Sequence, residues 1–452
     1  MDELEFQQRL ASSGVSVNQA SVKAGLFVEA RNALRASGVT TVDLHYCFVP
    51  GRIEFLGKHT DYAGGRSLIC ALERGFCVAA SARDDDRMRI TDGGRLDHVE
   101  FRLSPESIPR AGHWSNYPMT VASRVAQNFP GALRGADIAF ISDLPPAAGL
   151  SSSSALVIAI FCMLARVNAL DQRDAYKNNI HSLEELAGYL GTIENGQTFG
   201  SLAGSRGVGT FGGSQDHTAI LCCHAGELSQ YSFCPVRHER SVTLPGNYVF
   251  VIGVSGLSAD KTGDALDKYN RVSLLAAEVL AVWRSATGRA DATLMAAATS
   301  SADAPERMRQ ALRASRSSVF SPQELLNRFE QFVIECTEII PSAAQAMAAG
   351  DVDKIGVLID RSQDGAERLL GNQVPETIAL ARLARELGAV AASAFGAGFG
   401  GSVWAMVKTD RAKDFVSEWA GRYRSRFKIS EDRSAFFSTR AGPSMMEFSD
   451  RS

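Results

Sequence analysis

Four consecutive serines, Ser151 to Ser154, follow the turn Asp143-Leu144-Pro145-Pro146-Ala147-Ala148-Gly149-Leu150 and precede the apolar run Ala155 to Phe161. The prolines and the glycine end one element and force a tight turn before the next. Serines opening an apolar helix set hydroxyls beside first-turn N–H groups that have no helical partner, and such an end attracts phosphate. The loop lacks a Gly-Lys-Ser/Thr ending, so no lysine of its own neutralises phosphate charge. Alone, a small-residue turn before a helix is an ordinary turn, but two further stretches accompany it. Between Arg52 and Gly65, the residues Arg52, Lys58, His59 and Asp61 alternate with large apolar ones. That pattern gathers charge on one side of a glycine-bounded turn between two apolar strands and suits a small polyhydroxylated ligand. Phe395-Gly396-Ala397-Gly398-Phe399-Gly400-Gly401-Ser402 is glycine-rich enough to let backbone approach a ligand closely.

Two carboxylates have positions that leave their roles open. Asp216 follows Gly212-Gly213-Ser214-Gln215 at the start of an apolar run, which fits a helix cap or a site carboxylate, with the cap favoured by position. Glu194 ends a helix expected from about Ser182 to Asn195 and matters only if a metal must be held near the serines. Trp114 falls on a helix expected from 114 to 125, and a core role is its simpler reading.

The elements that must position these residues follow from periodicity. Residues 1 to 40 are expected to be helical, and Val42 to Val49 a strand closed by Pro50-Gly51. Ser67 to Ala80 is the next strand, and Ala136 to Ile141 a short one feeding the serine loop. Tyr248 to Ser255 is fully apolar and suits a central strand. Helices are expected over Asp267 to Ala286, Pro322 to Ile340 and Glu376 to Leu387, and a last strand over Val403 to Val407. No internal repeat interrupts the 452 residues.

Composition bounds the function. The chain is 45% apolar and 21% charged, an ordinary globular balance with a sizeable core. A formal net charge of −3 leaves no electrostatic footprint for nucleic acid or an anionic membrane. The eight cysteines have no C-x-x-C spacing and sit mostly among apolar neighbours, as reduced buried thiols do. Cys222-Cys223-His224 does not read as a metal site, because adjacent strand residues point to opposite faces. With no secretory signal pattern and no apolar run of membrane-spanning length, the expectation is a cytoplasmic protein.

Three glycine-punctuated loops in one chain suggest one composite site, and in that order they resemble the GHMP small-molecule kinases and, within them, the galactokinases. Pro50-Gly51-Arg52, Leu56 to Tyr62 and Gly64-Gly65 resemble the galactokinase sugar signature. Pro145 to Ala155 is similar to the family's second motif, and Gly396 to Gly401 to its third. The resemblance runs from about residue 45 to about 440. It implies an α+β, two-domain fold with the site in the cleft between domains, here divided as 1–245 and 246–452. It also implies phosphorylation of a monosaccharide at the anomeric hydroxyl, galactose or a close relative, using ATP and Mg²⁺. By resemblance Asp216 is the base and Arg52 its charge partner. Lys58, His59, Asp61 and Tyr269 fall at sugar contacts. Pro146, Ala148, Gly149, Leu150, Ser151, Ser152, Ser153, Trp114, Gly398 and Gly400 fall at the nucleotide, and Ser153 and Glu194 at the metal. Oligomeric state is left open, with a monomer plausible.

The departures fall mostly on the sugar side. Lys58 stands where the signature has glutamate, which admits a second reading as a uronic acid 1-kinase whose substrate carboxylate meets the lysine. Ala147 replaces the motif's first glycine, a change tolerated if its φ stays negative. Ser393 and Phe395 replace a basic and a small hydroxyl residue, His217 replaces a glutamine, and the segment Gly196 to Gly213 is long. A non-catalytic sugar sensor is a further alternative, against which Asp216, Ser153 and Glu194 argue. A kinase of a non-sugar alcohol such as mevalonate is opposed by the sugar signature.

Overall fold

The computed structural model describes residues 1–39, 43–110, 112–257, 264–429 and 433–450. Two sheets carry its strands. The larger holds β1 (His45–Leu56), β2 (Arg66–Ala82), β3 (Arg87–Asp92), β4 (Asp97–Arg102), β5 (Ala136–Ser142), β6 (Glu227–Ser232) and β7 (Arg237–Thr243). The smaller holds β8 (Tyr248–Val254), β9 (Ala391–Phe395), β10 (Ser402–Lys408) and β11 (Phe436–Thr439), in the antiparallel order β11-β8-β10-β9. The chain then returns to the larger sheet, where β12 (Ala441–Gly442) pairs with β2 and β13 (Met446–Ser449) with β1. The two sheets therefore do not divide at one point in the sequence, since residues beyond 440 complete the sheet built by residues before 245.

The first strand differs from its sequence expectation, whose starting residue Val42 lies outside the described residues. Pro50-Gly51 does not close it. The strand runs on through Leu56, with register shifts at Pro50/Arg52 and at Glu54/Leu56. Bulges of this kind bend a strand and re-aim its side chains. The result places Arg52 and Glu54, two residues apart, on a strand where a turn was expected.

Alternation along the paired strands explains how both faces are covered. Tyr46, Phe48, Cys77, Ala79, Ala139 and Ile141 point to one face and pack under helices α1 (Glu3–Ser12) and α2 (Val17–Ala36). Their neighbours Cys47, Val49, Val78, Ala80, Ile138 and Phe140 point to the other face and form the main core. Into that core drop α3 (Asn116–Asn128) and α4 (Ser152–Asn168), the latter buried continuously from Ser154 to Leu164. Phe55 of β1 stacks on Trp404 of β10 at 4.4 Å between centroids, which ties the two sheets together. From α2, the wholly buried Lys23 bonds Asp143 at the entrance to the serine loop and so braces that loop from behind.

Three more helices complete the frame: α5 (Asp174–Lys177), α6 (Leu183–Asn195) and α7 (Gln215–Cys222). The run through Cys222, treated above as a strand, is the second half of α7. Ser214 occupies the cap position, so Asp216 lies in the first turn and is not the cap. The helix expected over Pro322 to Ile340 is Pro322–Ile334, followed by a π-helical turn over Glu335–Ile339 and a further helix from Ile340. Among the described residues no helix is long and apolar enough to cross a membrane.

Candidate active site

A cavity of about 900 Å³ opens among β1, the serine loop, α6, α7, the helix Asp264–Thr287 and the third glycine-rich loop. Arg52 stands at its centre. Its Nε donates to Asp216 Oδ1 at 2.7 Å and one terminal nitrogen to the Gly149 carbonyl at 2.7 Å. One planar guanidinium thus joins a carboxylate on α7 to the backbone of the serine loop. Burial by itself would lower the Arg52 guanidinium, but the charges of Asp216 and Glu54 outweigh it and hold the group protonated.

On one side of Arg52 the cavity wall is made of side chains. Asp61 Oδ2 accepts the Gln215 N–H at 3.0 Å, and Gly213 lies so close that a Cβ there would meet the same oxygen at 2.4 Å. Burial raises the Asp61 carboxyl above its ordinary value, against the pull of that amide bond. Gln215 also donates to Glu54 at 2.8 Å and accepts from the Ser67 hydroxyl. Burial raises Glu54 to about 7, an effect that the positive charges of Lys58 and Arg52 only partly offset. His59 touches the Tyr62 hydroxyl at 3.1 Å and the Ala397 carbonyl at 2.9 Å, and Arg328 bonds the His59 carbonyl from beneath. The buried Tyr269 ring lies 5.3 Å from His59. Burial, then the Asp61 and Asp216 charges, lift its phenol well above the ordinary range, so it stays a neutral hydroxyl.

On the other side the wall is mostly backbone and small residues. Ser151 takes a left-handed conformation with φ of 61° and opens α4 without a side-chain cap. Its hydroxyl oxygen is buried with no hydrogen-bond partner among the described residues. An unsatisfied hydroxyl beside the free amides of a helix N-terminus is a site waiting for acceptor oxygens, and phosphate supplies them. Ala147 also lies in the left-handed region, with φ of 50°, so the expectation that it keeps a negative φ is corrected. Ser153 and Glu194 line the same cavity and offer hard oxygen donors, which fits a magnesium ion held by few protein ligands.

The long Gly196 to Gly213 segment forms a third wall. Arg124 bonds the Gln197 carbonyl, Asn128 that of Ala203, Asn116 that of Val208 and Asn195 that of Gly212, and Val208, Thr210, Gly212 and Gly213 face the cavity.

The cavity gathers Arg52, His59, Asp61, Tyr269, Asp216, Glu194, Pro146, Gly149, Ser151, Ser152, Ser153 and Trp114. It does not gather all the residues singled out above. Lys58 is buried, with its ammonium donating to Ser393 Oγ at 2.9 Å, and it does not line the cavity. The Ala148 and Leu150 side chains turn into the core. Gly398 and Gly400 build the turn rather than the wall: a Cβ on Gly398 would meet the Asn372 carbonyl at 2.3 Å, and the loop faces the cavity with Gly396 and Ala397. Trp114 precedes α3, and its indole N–H donates to Asp97 at 2.7 Å.

Glu54 and Gln215 were missed. The signal for Glu54 was available: read as a strand, Arg52-Ile53-Glu54 puts both charges on one face. Nothing short of the fold brings Gln215 or Arg328 to the signature.

Known proteins match most of the chain. Residues 38–82 match the galactokinase galactose-binding signature, 116–201 the GHMP kinases N terminal domain and 343–425 the GHMP kinases C terminal model. The galactokinase of Chloroflexus aggregans is 30% identical over 388 residues, covering 83% of this chain and 87% of that protein. That of Glaesserella parasuis is 26% identical over 387 residues, covering 85% and 90%. The Lactococcus lactis galactokinase structure, complexed with galactose, superposes with a TM-score of 0.75 at 22% identity over 93% of this chain and 99% of that one. The Methanococcus jannaschii mevalonate kinase structure follows at 0.52 and 13%, covering 88% and 98%.

Proposed function

Because this chain belongs to the galactokinase family of GHMP kinases and is a sugar kinase, we propose that it transfers the γ-phosphoryl group of ATP to the anomeric hydroxyl of galactose or a close relative. The observation that carries this reading is the Arg52 bridge. It fixes a carboxylate, Asp216, beside a loop whose amides and orphan Ser151 hydroxyl suit phosphate. Asp216 accepts the anomeric proton as the sugar oxygen bonds to the γ-phosphorus and the bond to the ADP oxygen breaks. Arg52 keeps Asp216 ionised and opposes the charge that develops on the transferring group. Asp61 accepts from sugar hydroxyls, while Tyr269 and His59 complete the wall. Ser153 and Glu194, which line the same cavity, would hold Mg²⁺, and the ion would supply the neutralisation of phosphate charge that this lysine-free loop lacks.

The boundary between the two halves is proposed near residue 245, where strand formation passes from the larger sheet to the smaller. The buried Lys58–Ser393 contact gives a uronate carboxylate no anchor, and the neutral hexose is the reading we carry forward.

ADP release measured over a panel of hexoses and hexuronic acids, with the product's phosphate position assigned by NMR, tests this. Galactose-dependent ADP release with phosphate on the anomeric oxygen is expected. Binding of galactose and ATP with no ADP release overturns catalysis and leaves a sensor. Faster turnover of galacturonate than of galactose restores the uronic acid reading.

A further inference from the structure

Glu194 does not stand alone in its corner of the cavity. It ends α6, and His217 comes from the first turn of α7. His217 Nε2 lies 3.2 Å from Glu194 Oε1, with the two side chains 1% and 6% exposed. An imidazole at that distance ordinarily donates to the carboxylate. Here the alignment is wrong for a hydrogen bond, and neither His217 ring nitrogen has a hydrogen-bond partner among the described residues. Buried imidazoles usually satisfy at least one nitrogen. One that satisfies neither, on the wall of a cavity, is arranged for something not made of protein.

The spacing indicates what that is. Neighbouring ligands of an octahedral cation with bonds of about 2.1–2.2 Å lie about 3.0–3.1 Å apart. Such ligand atoms approach side by side, without the linear alignment a hydrogen bond requires. We propose that His217 Nε2 is a ligand of the same divalent cation as Glu194, giving the site a nitrogen donor that selects borderline transition dications such as Mn²⁺ over Mg²⁺. The inference rests on the reading of Ser153 and Glu194 as metal ligands. Imidazole favours first-row transition ions, whereas hydroxyl and carboxylate oxygens suit Mg²⁺, so one exchanged donor shifts preference without abolishing binding. Two protein side chains beside a serine hydroxyl and phosphate oxygens are the kind of ligand set a phosphate-bound dication takes.

The test uses Mn²⁺ itself on the full-length protein with a non-hydrolysable ATP analogue. Pulsed EPR on protein carrying ¹⁵N-imidazole histidine reads whether a ring nitrogen is bonded to the ion, and calorimetry gives Mn²⁺ and Mg²⁺ affinities. Wild type is expected to show directly bonded nitrogen. His217→Gln should lose that coupling and reduce the preference for Mn²⁺ over Mg²⁺ about ten-fold, the lower end of what one altered metal partner does. If wild type shows no bonded nitrogen while Glu194→Gln still weakens Mn²⁺ binding, this inference falls and the magnesium reading stands. If Glu194→Gln binds Mn²⁺ as wild type does, the metal-ligand reading falls and takes the inference with it.

Discussion

The two sides of the cavity are built from different materials. The side facing the proposed phosphates is mostly backbone amide, serine and glycine from one stretch of sequence, with Glu194 added from α6, and it is left with an unsatisfied hydroxyl. The side facing the proposed sugar is lined by a net of charged and amide side chains, Arg52, Glu54, Asp61 and Gln215, with Lys58 buried behind them, and each is held by another residue far away in the chain. A backbone-built site depends on conformation and tolerates changes of side chain that keep it. A side-chain-built site depends on each partner, because removing one leaves another buried and unpaired. This explains where the chain departs from its family. On the phosphate side alanine stands where the motif has glycine and takes a left-handed conformation that glycine adopts readily. On the sugar side Lys58 and Ser393 now bond each other, so the two departures form one buried contact.

The comparison breaks most visibly at Asp216, which belongs to the net. Asp216→Asn is expected to lower turnover by roughly 10²- to 10⁴-fold, the range for losing a general base. The KM for ATP should change little, because Arg52 retains its bond to the Gly149 carbonyl. Steady-state kinetics with each substrate varied separates the two. A KM for ATP that rises as steeply as turnover falls would mean that the halves are not independent.

A smaller effect comes from Glu54, whose carboxyl burial raises to about 7 from an ordinary 4.5. Between those values the folded state holds a proton that the unfolded chain has released. Stability contributed by this group is therefore complete below about 4.5 and is lost as pH rises through about 7. Glu54→Gln should flatten that decline by an amount on the order of 3 kcal/mol. Loss of a countercharge to Lys58 adds an offset, so the slope of Tm against pH is the measurement, and the offset is not. Part of the slope remains, because burial raises Asp61 as well. An unchanged slope would remove Glu54 from the net's titration.

The difference in materials also sets what could be read in advance. Ser151 to Ser154 and the third glycine run are contiguous, and local chemistry alone announces a turn, a helix start and a close backbone approach. The helices, the central strand Tyr248–Val254 and the strand feeding the serine loop were legible for the same reason. The net was not. Gln215 meets Glu54 across 161 residues and Lys58 meets Ser393 across 335, and no periodicity encodes such pairs. Resemblance to a family supplied Arg52 with Asp216, but it aimed Lys58 at the sugar, where a carboxylate would have gone. The strand continuing through Pro50-Gly51 was hidden by residues that usually end one, and a bulge accommodates them here.

The smallest expected effect sharpens the comparison from the phosphate side. Ala147 lines the cavity, half-buried, at a φ of 50°. A Cβ in the left-handed region costs roughly 1–2 kcal/mol, and glycine avoids that clash. Glycine in turn makes the unfolded chain freer, which returns about 0.5–1 kcal/mol of the gain. Ala147→Gly should therefore stabilise the protein by about 0.5–1 kcal/mol, the difference of those two terms. Denaturant midpoints at constant m-value measure it. Because the loop is proposed to hold phosphate through amides whose directions the substitution preserves, the KM for ATP and turnover should stay within two-fold or so of wild type, a change below about 0.5 kcal/mol. A loss of stability would show that the Ala147 methyl packs favourably enough to outweigh its strained backbone. A large change in the KM for ATP at unaltered stability would be more damaging, since it would make a single methyl group part of the phosphate site and end the claim that this side is built from backbone.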